Sequence, residues 1–155
     1  MKQSAALSRI QADMTPGVIT AGGFLGSDPR PLAEILADDE ARVSRLGLTH
    51  AGIATRMRAL RAAGARGLGE AVAVPPHFEV RVDGVRGKLP CPFSHKGLYA
   101  KVNIAVRNRR RGTEVAYTDL GIHLIEAHGF YEGRDSQFRL DPETLAETLE
   151  IESSD

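Results

Sequence analysis

Apolar and polar positions change their period once along this 155-residue chain, near residue 70. Ahead of that point the spacing is helical. Leu32, Ile35, Leu36, Val43 and Leu46 make one stripe of a helix over about 31–46, with Pro31 tolerated in its first turn. Ser27 or Asp28 is its predicted cap, and Gly47 its C-terminal stop. Thr49 caps a second helix over about 50–63 that Gly64 closes. Its Ile53, Met57 and Leu60 fall at i, i+4 and i+7 on one face. Residues 1–27 are poor in pattern and punctuated by Thr15-Pro16-Gly17 and Gly22-Gly23. They predict one short helix near 5–12 in otherwise irregular chain.

After a Gly64–Gly69 joint the period becomes two. Phe78, Val80 and Val82 alternate with Glu79, Arg81 and Asp83, the signature of a half-buried strand. Asp83-Gly84 predicts a hairpin into a second strand near 85–89. Leu98, Ala100, Val102, Ile104 and Val106 alternate as a third strand, and Val115 and Tyr117 mark a fourth. Thr118 or Asp119 caps a helix over about 119–128 that Gly129 ends. Pro142 opens a last, acidic helix over about 142–150, with Leu145 and Leu149 inward. Strands joined by tight turns run antiparallel. The predicted class is α+β: an N-terminal helical pair, then a small antiparallel sheet of about four strands with flanking helices, resembling a zinc module. The organisation predicted is an irregular segment 1–27, a helical pair 28–69, and a sheet with two helices over 70–155, forming one compact unit. Ser153-Ser154-Asp155 is predicted to fray.

Composition narrows the classes. Twenty basic and twenty acidic side chains cancel, which excludes a simple polybasic binder of nucleic acid or membrane. The zero conceals blocks, however. Residues 28–40 hold five acids and one Arg, 41–69 six Arg and no acid, and 141–155 six acids and no base. Such segregation suits either a nucleic-acid face balanced by an acidic tail or an acidic helix docked on a basic surface of the same molecule. No apolar run has the length of a membrane span, and the N-terminus lacks a signal-peptide pattern. One cysteine excludes an internal disulfide. A soluble protein of the reducing cytoplasm is expected.

That cysteine gains meaning from its neighbours. Cys91-Pro92-Phe93-Ser94-His95 precedes the third strand, and His123-Leu124-Ile125-Glu126-Ala127-His128 ends the following helix. Cys91, His95, His123 and His128 are therefore the candidate metal ligands, and zinc the candidate cofactor, in a structural role. Zinc takes four such N and S donors in a tetrahedron, and a turn plus a helix end can deliver them. Positions five apart on a regular helix are rotated by about 140°, so the two histidines are expected to need a loosened last turn. Pro90 and Pro92 would stiffen the turn that presents the thiol. The alternative is that the thiol is a small buried hydrophobe and the histidines unrelated surface or core residues. The segments LPCPFSHKG and TDLGIHLIEAHGFYEG resemble small bacterial proteins to which the resemblance attaches no activity.

Enzyme motifs mostly fail, so no catalytic residue is assigned. HLIEAH matches neither H-E-x-x-H nor H-x-x-E-H. A phosphate-binding loop is absent, and Gly22-Gly23-Phe24-Leu25-Gly26 lacks strand–helix context. A zinc-dependent hydrolase stays open as an alternative if one of the four donors is not a ligand, with Glu126 or Glu132 as base. Residues 43–64, VSRLGLTHAGIATRMRALRAAG, resemble a bacterial helix-turn-helix. That resemblance implies DNA as a partner, with His50, Arg56, Arg58 and Arg61 as candidate contacts. A plain helical hairpin with solvated arginines carries the same pattern. The leading expectation is a zinc-binding protein with a non-enzymatic interaction or regulatory role.

Overall fold

A computed structural model describes residues 3–153. Its element order is α1 (Ala5–Asp13), α2 (Leu32–Arg45), α3 (His50–Gly64), β1 (Val72–Val74), β2 (Phe78–Pro90), β3 (Leu98–Asn108), β4 (Thr113–Thr118), α4 (Asp119–His128) and α5 (Pro142–Leu149). The strands form one antiparallel sheet in the order β1-β2-β3-β4, so the class is α+β. Among the described residues, no helix is long and apolar enough to cross a membrane. Ser154 and Asp155, part of the segment expected to fray, lie outside the described residues.

The caps predicted at Thr49 and Thr118 hold, and the structure adds one at Asp141. Thr49 accepts from the Gly52 amide, Thr118 from Gly121, and Asp141 from Thr144, each oxygen satisfying an orphan helix N–H. Helix α2 departs from expectation: neither Ser27 nor Asp28 caps it. Its amides at Leu32 and Ala33 instead donate to the side-chain oxygens of Gln11 and Gln3, at 3.0 and 2.8 Å. The N-terminal segment is thereby tied to the helical pair. Asp28 turns to Arg30 and to the Arg134 amide, which together hold its carboxyl far below the usual range.

The hairpin expected at Asp83-Gly84 does not form. Gly84 pairs with Val102, and β2 runs on to Pro90 against Leu98. Between Gly84 and Lys88, however, Val85–Gly87 stand opposite Lys101 alone, a bulge that breaks the ladder. A second departure lies on β3. Ile104 and Val106 are buried as predicted, whereas Ala100 and Leu98 are exposed and Tyr99 turns inward. The alternation changes phase along β3. The fourth strand of the sheet is β1, which the sequence did not mark, and the tight turn moves to residues 91–97 between β2 and β3.

Helices α3, α4 and α5 cover the sheet. Ile53, Met57 and Leu60 meet Phe78, Val80, Ile104, Val106 and Tyr117 in one core cluster. Gly64 admits a close approach of α3 to the sheet: a Cβ there would stand 2.3 Å from Val80 Cγ1. The Gly64–Gly69 joint therefore does not separate two cores. A second cluster joins Met14, Phe24, Leu32 and Ile35 to Cys91, Leu120, Leu124 and Phe130. The segregated charge also finds its partners. Arg42 meets Asp141 and Glu143 of the acidic last helix, and Arg110 meets Glu150. The acidic segment is docked on basic side chains of the same chain.

Candidate metal centre

Cys91, at the end of β2, is 3 % exposed. The Ser94 amide donates to the Cys91 carbonyl at 3.1 Å, and Ser94 takes a left-handed φ of 61°. The chain thus folds tightly around the sulfur. Burial raises the thiol's pKa, while backbone N–H groups of Phe93 and His95 point at the sulfur and oppose that shift. Amides aimed at the sulfur favour its thiolate, the form that binds metal.

Helix α4 supplies the facing pair. It stays helical to His128, and Gly129 takes the left-handed conformation with φ 61°. The Gly129 amide bonds to Ile125 and the Phe130 amide to Leu124, a Schellman-type end. The expected loosening of the last turn is not needed. The His123 and His128 rings meet edge to face with centroids 5.3 Å apart, because both imidazoles reach beyond the backbone to the same side of the helix end. Phe93 stacks on His128 at 4.2 Å, nearly parallel, and packs edge-on to Phe130. One ring therefore fixes the turn and the histidine together.

Cys91, His123 and His128 each offer a donor atom, and these three lie within 4.8 Å of one another, close enough to bind one metal ion. The Cys91 Sγ to His128 Nε2 distance is 3.5 Å. His95 lies beside them: its Nδ1 stands 3.2 Å from His123 Nε2, and its ring meets His128 edge to face at 5.5 Å. Burial first, then the neighbouring imidazoles, push His128 down to about 4 and His123 in the same direction. His128 is neutral near pH 7, with a lone pair available to a metal. Three of the four predicted ligands, Cys91, His123 and His128, therefore meet at metal-binding distance, and the exposed His95 packs against the two histidines without joining that mutual set.

Tyr99 belongs to the site and escaped the sequence reading. Its hydroxyl lies 3.0 Å from His123 Nδ1, with the two rings stacked. It is the phase change in β3 that turns it inward, and alternation read from Leu98 to Val106 places it on the opposite face. The carboxylates considered as bases are elsewhere engaged. Glu126 is held bidentate by Arg58 at 2.7 Å, which lowers its pKa. Glu132 lines a separate cavity of about 600 Å³, among whose described lining residues none of the four candidate ligands is found.

The four candidate DNA contacts on α3 all have partners inside the molecule. His50 Nδ1 lies 2.8 Å from the Tyr131 hydroxyl, and its Nε2 meets Glu40. Arg56 donates to the Leu149 carbonyl and lies over Phe78. Arg58 holds Glu126, and Arg61 chelates Asp119 at 2.7 and 2.9 Å. The buried stripe of the helix faces the sheet. Helix α3 packs chiefly on α4 and the sheet, with α2 set against α1 and α5, and this geometry gives the recognition-helix reading no support.

Compared with known proteins, the chain matches no family model, no curated protein and no solved structure.

Proposed function

We propose that this protein binds zinc at a structural site made of Cys91, His95, His123 and His128, and that its role is one of interaction or regulation, without turnover. One observation carries the reading. With Zn–N bonds of about 2.0 Å and a Zn–S bond of about 2.3 Å, tetrahedral vertices stand about 3.3 Å apart between nitrogens and about 3.5 Å between nitrogen and sulfur. The His95–His123 and Cys91–His128 pairs, at 3.2 and 3.5 Å, match in length the edges of such a tetrahedron, and His95 would complete it by closing on the other three donors. A mixed S and N donor set of this size suits zinc better than a hard, oxygen-seeking cation.

Four protein ligands close the coordination shell, whereas a hydrolytic zinc keeps a position open for water. Zinc here would clamp the 91–97 turn to the end of α4, joining the long β2–β3 ladder to the helical layer. The test is elemental analysis of protein produced with zinc supplied. The reading expects one zinc per chain, lost in Cys91→Ser and His128→Ala with the fold retained in excess zinc. Folded wild-type protein that takes up no zinc would overturn it.

A further inference from the structure

The cavity of about 600 Å³ is a second candidate site, on residues the metal reading does not use. The geometry points to a binding site for a small organic cation, an apolar ring body carrying a protonated amine or amidine, received by Glu132.

Three observations carry this. The first is the carboxylate. Glu132 is 6 % exposed and lines the cavity. Its Oε1 accepts from the Ser136 hydroxyl at 2.6 Å, and its Oε2 takes no hydrogen bond from a described residue. It adopts a left-handed φ of 68°, a conformation uncommon for a residue with a side chain. Oε2 retains accessible surface and an unused acceptor position, which a ligand N–H would fill. Burial holds this carboxyl up at about 7, and a cation beside it would favour the charged form.

The second is the wall. Phe24, Leu89, Leu120 and Phe138 give the cavity an apolar body, with Asn103 and Thr118 as polar points. Most ligand cavities combine such a wall with few polar groups. The charged side chains lining it are Lys101, Glu132 and Asp135. Two acids and one base favour a cation, and one lysine is poor equipment for a phosphate. The β2 bulge places both Val85 and Lys101 on this wall.

The third is the frame. The Gly133 amide donates to the Phe24 carbonyl at 2.8 Å, and the Ser27 amide to Arg134 at 3.0 Å. The Ser27 hydroxyl donates to Asp135 at 2.6 Å, and Asp28 accepts from the Arg134 amide. A Cβ at Gly133 would stand 2.3 Å from the Leu25 carbonyl oxygen. The two loops that form the mouth are clasped to each other, so the cavity is preformed and binding need not order them.

The test is an NMR titration of the full-length, isotope-labelled chain with benzylamine and benzamidine, with benzyl alcohol and benzoate as matched controls. The two cations should give saturable shifts at Gly22, Gly23, Phe24 and Lys101, with affinity in the millimolar range or tighter. Glu132→Gln should weaken them at least tenfold. Gly22→Leu leaves Glu132 in place and adds bulk where a Cβ meets nothing within 4 Å; it should block binding. Absence of saturable binding by either cation would overturn the proposal. Equal binding of the controls, or unchanged affinity in both variants, would do so as well. Because no candidate zinc ligand lines the cavity, the outcome is independent of the metal reading.

Discussion

The Tyr99 hydroxyl lies 3.0 Å from Nδ1 of His123, on the side of the imidazole away from the nitrogen that faces His95. A histidine that binds metal through Nε2 carries its proton on Nδ1 and needs an acceptor there. Tyr99 supplies it, fixing tautomer and ring plane. Such partners to ligating histidines are worth about tenfold to hundredfold in metal affinity. Tyr99→Phe should therefore weaken zinc binding by about tenfold, measured by competition with a chelator, while the circular dichroism spectrum is unchanged. Unaltered affinity would remove Tyr99 from the site.

Metal removal has a local and a global readout. Saturating zinc at about a hundred times its Kd stabilises a protein that binds only when folded by about 2.7 kcal/mol. For a chain of this size that corresponds to a Tm rise of roughly 5–10 °C. Chelation should lower Tm by that amount, and amide exchange should accelerate first in residues 91–97 and at the end of α4. A Tm indifferent to chelator and zinc would contradict the clamp.

The fold was legible in the sequence where local chemistry decides. Thr118 and Gly129 bound α4 because a cap oxygen and a left-handed residue are needed at those two positions and nowhere between. The candidate ligands were legible because each pair sits within one short stretch of chain. The inward turn of Tyr99 and the burial of Glu132 in a cavity wall were not. The first depends on a change of burial phase along β3 that regular alternation does not anticipate, the second on a loop clasped against residues more than a hundred positions away. The Asp83-Gly84 hairpin failed because Gly84 is usable inside a ladder as well as in a turn, and the pairing of β2 with β3 extends past it on both sides. Caps on α2 from Gln3 and Gln11 are likewise tertiary, invisible to a reading that looks only at the residues preceding a helix.

Glu132 makes stability depend on pH. Its folded pKa of about 7 stands above its ordinary 4.5, so the folded state holds the proton more tightly than the unfolded chain. Its contribution is fully present below about pH 4.5 and is lost as pH rises through 7. Glu132→Gln keeps the shape and cannot ionise. The stability of the wild type relative to this variant should fall by about 2–3 kcal/mol between pH 4.5 and pH 8, read from urea unfolding at both values. A difference independent of pH would show that the carboxyl titrates normally.

Asp39, 1 % exposed, is chelated by Arg139 at 2.6 and 3.0 Å, with Arg42 farther off at 3.5 Å. The pair ties α2 to the segment before α5. Arg139→Ala leaves a buried charge short of its main partner and should cost on the order of 3 kcal/mol. The double variant Arg139→Met with Asp39→Leu should recover most of that loss, because an apolar pair leaves no charge to compensate. Chemical denaturation of the three proteins measures both effects, and a double variant no better than Arg139→Ala would refute the explanation.

The central claim is a zinc tetrahedron of one sulfur and three nitrogens, and X-ray absorption at the zinc edge of the purified protein measures its coordination shell directly. The account predicts four scatterers: one sulfur at about 2.3 Å and three nitrogens at about 2.0 Å, with the sulfur lost in Cys91→Ser. A shell without sulfur, or one of six light atoms, would contradict it.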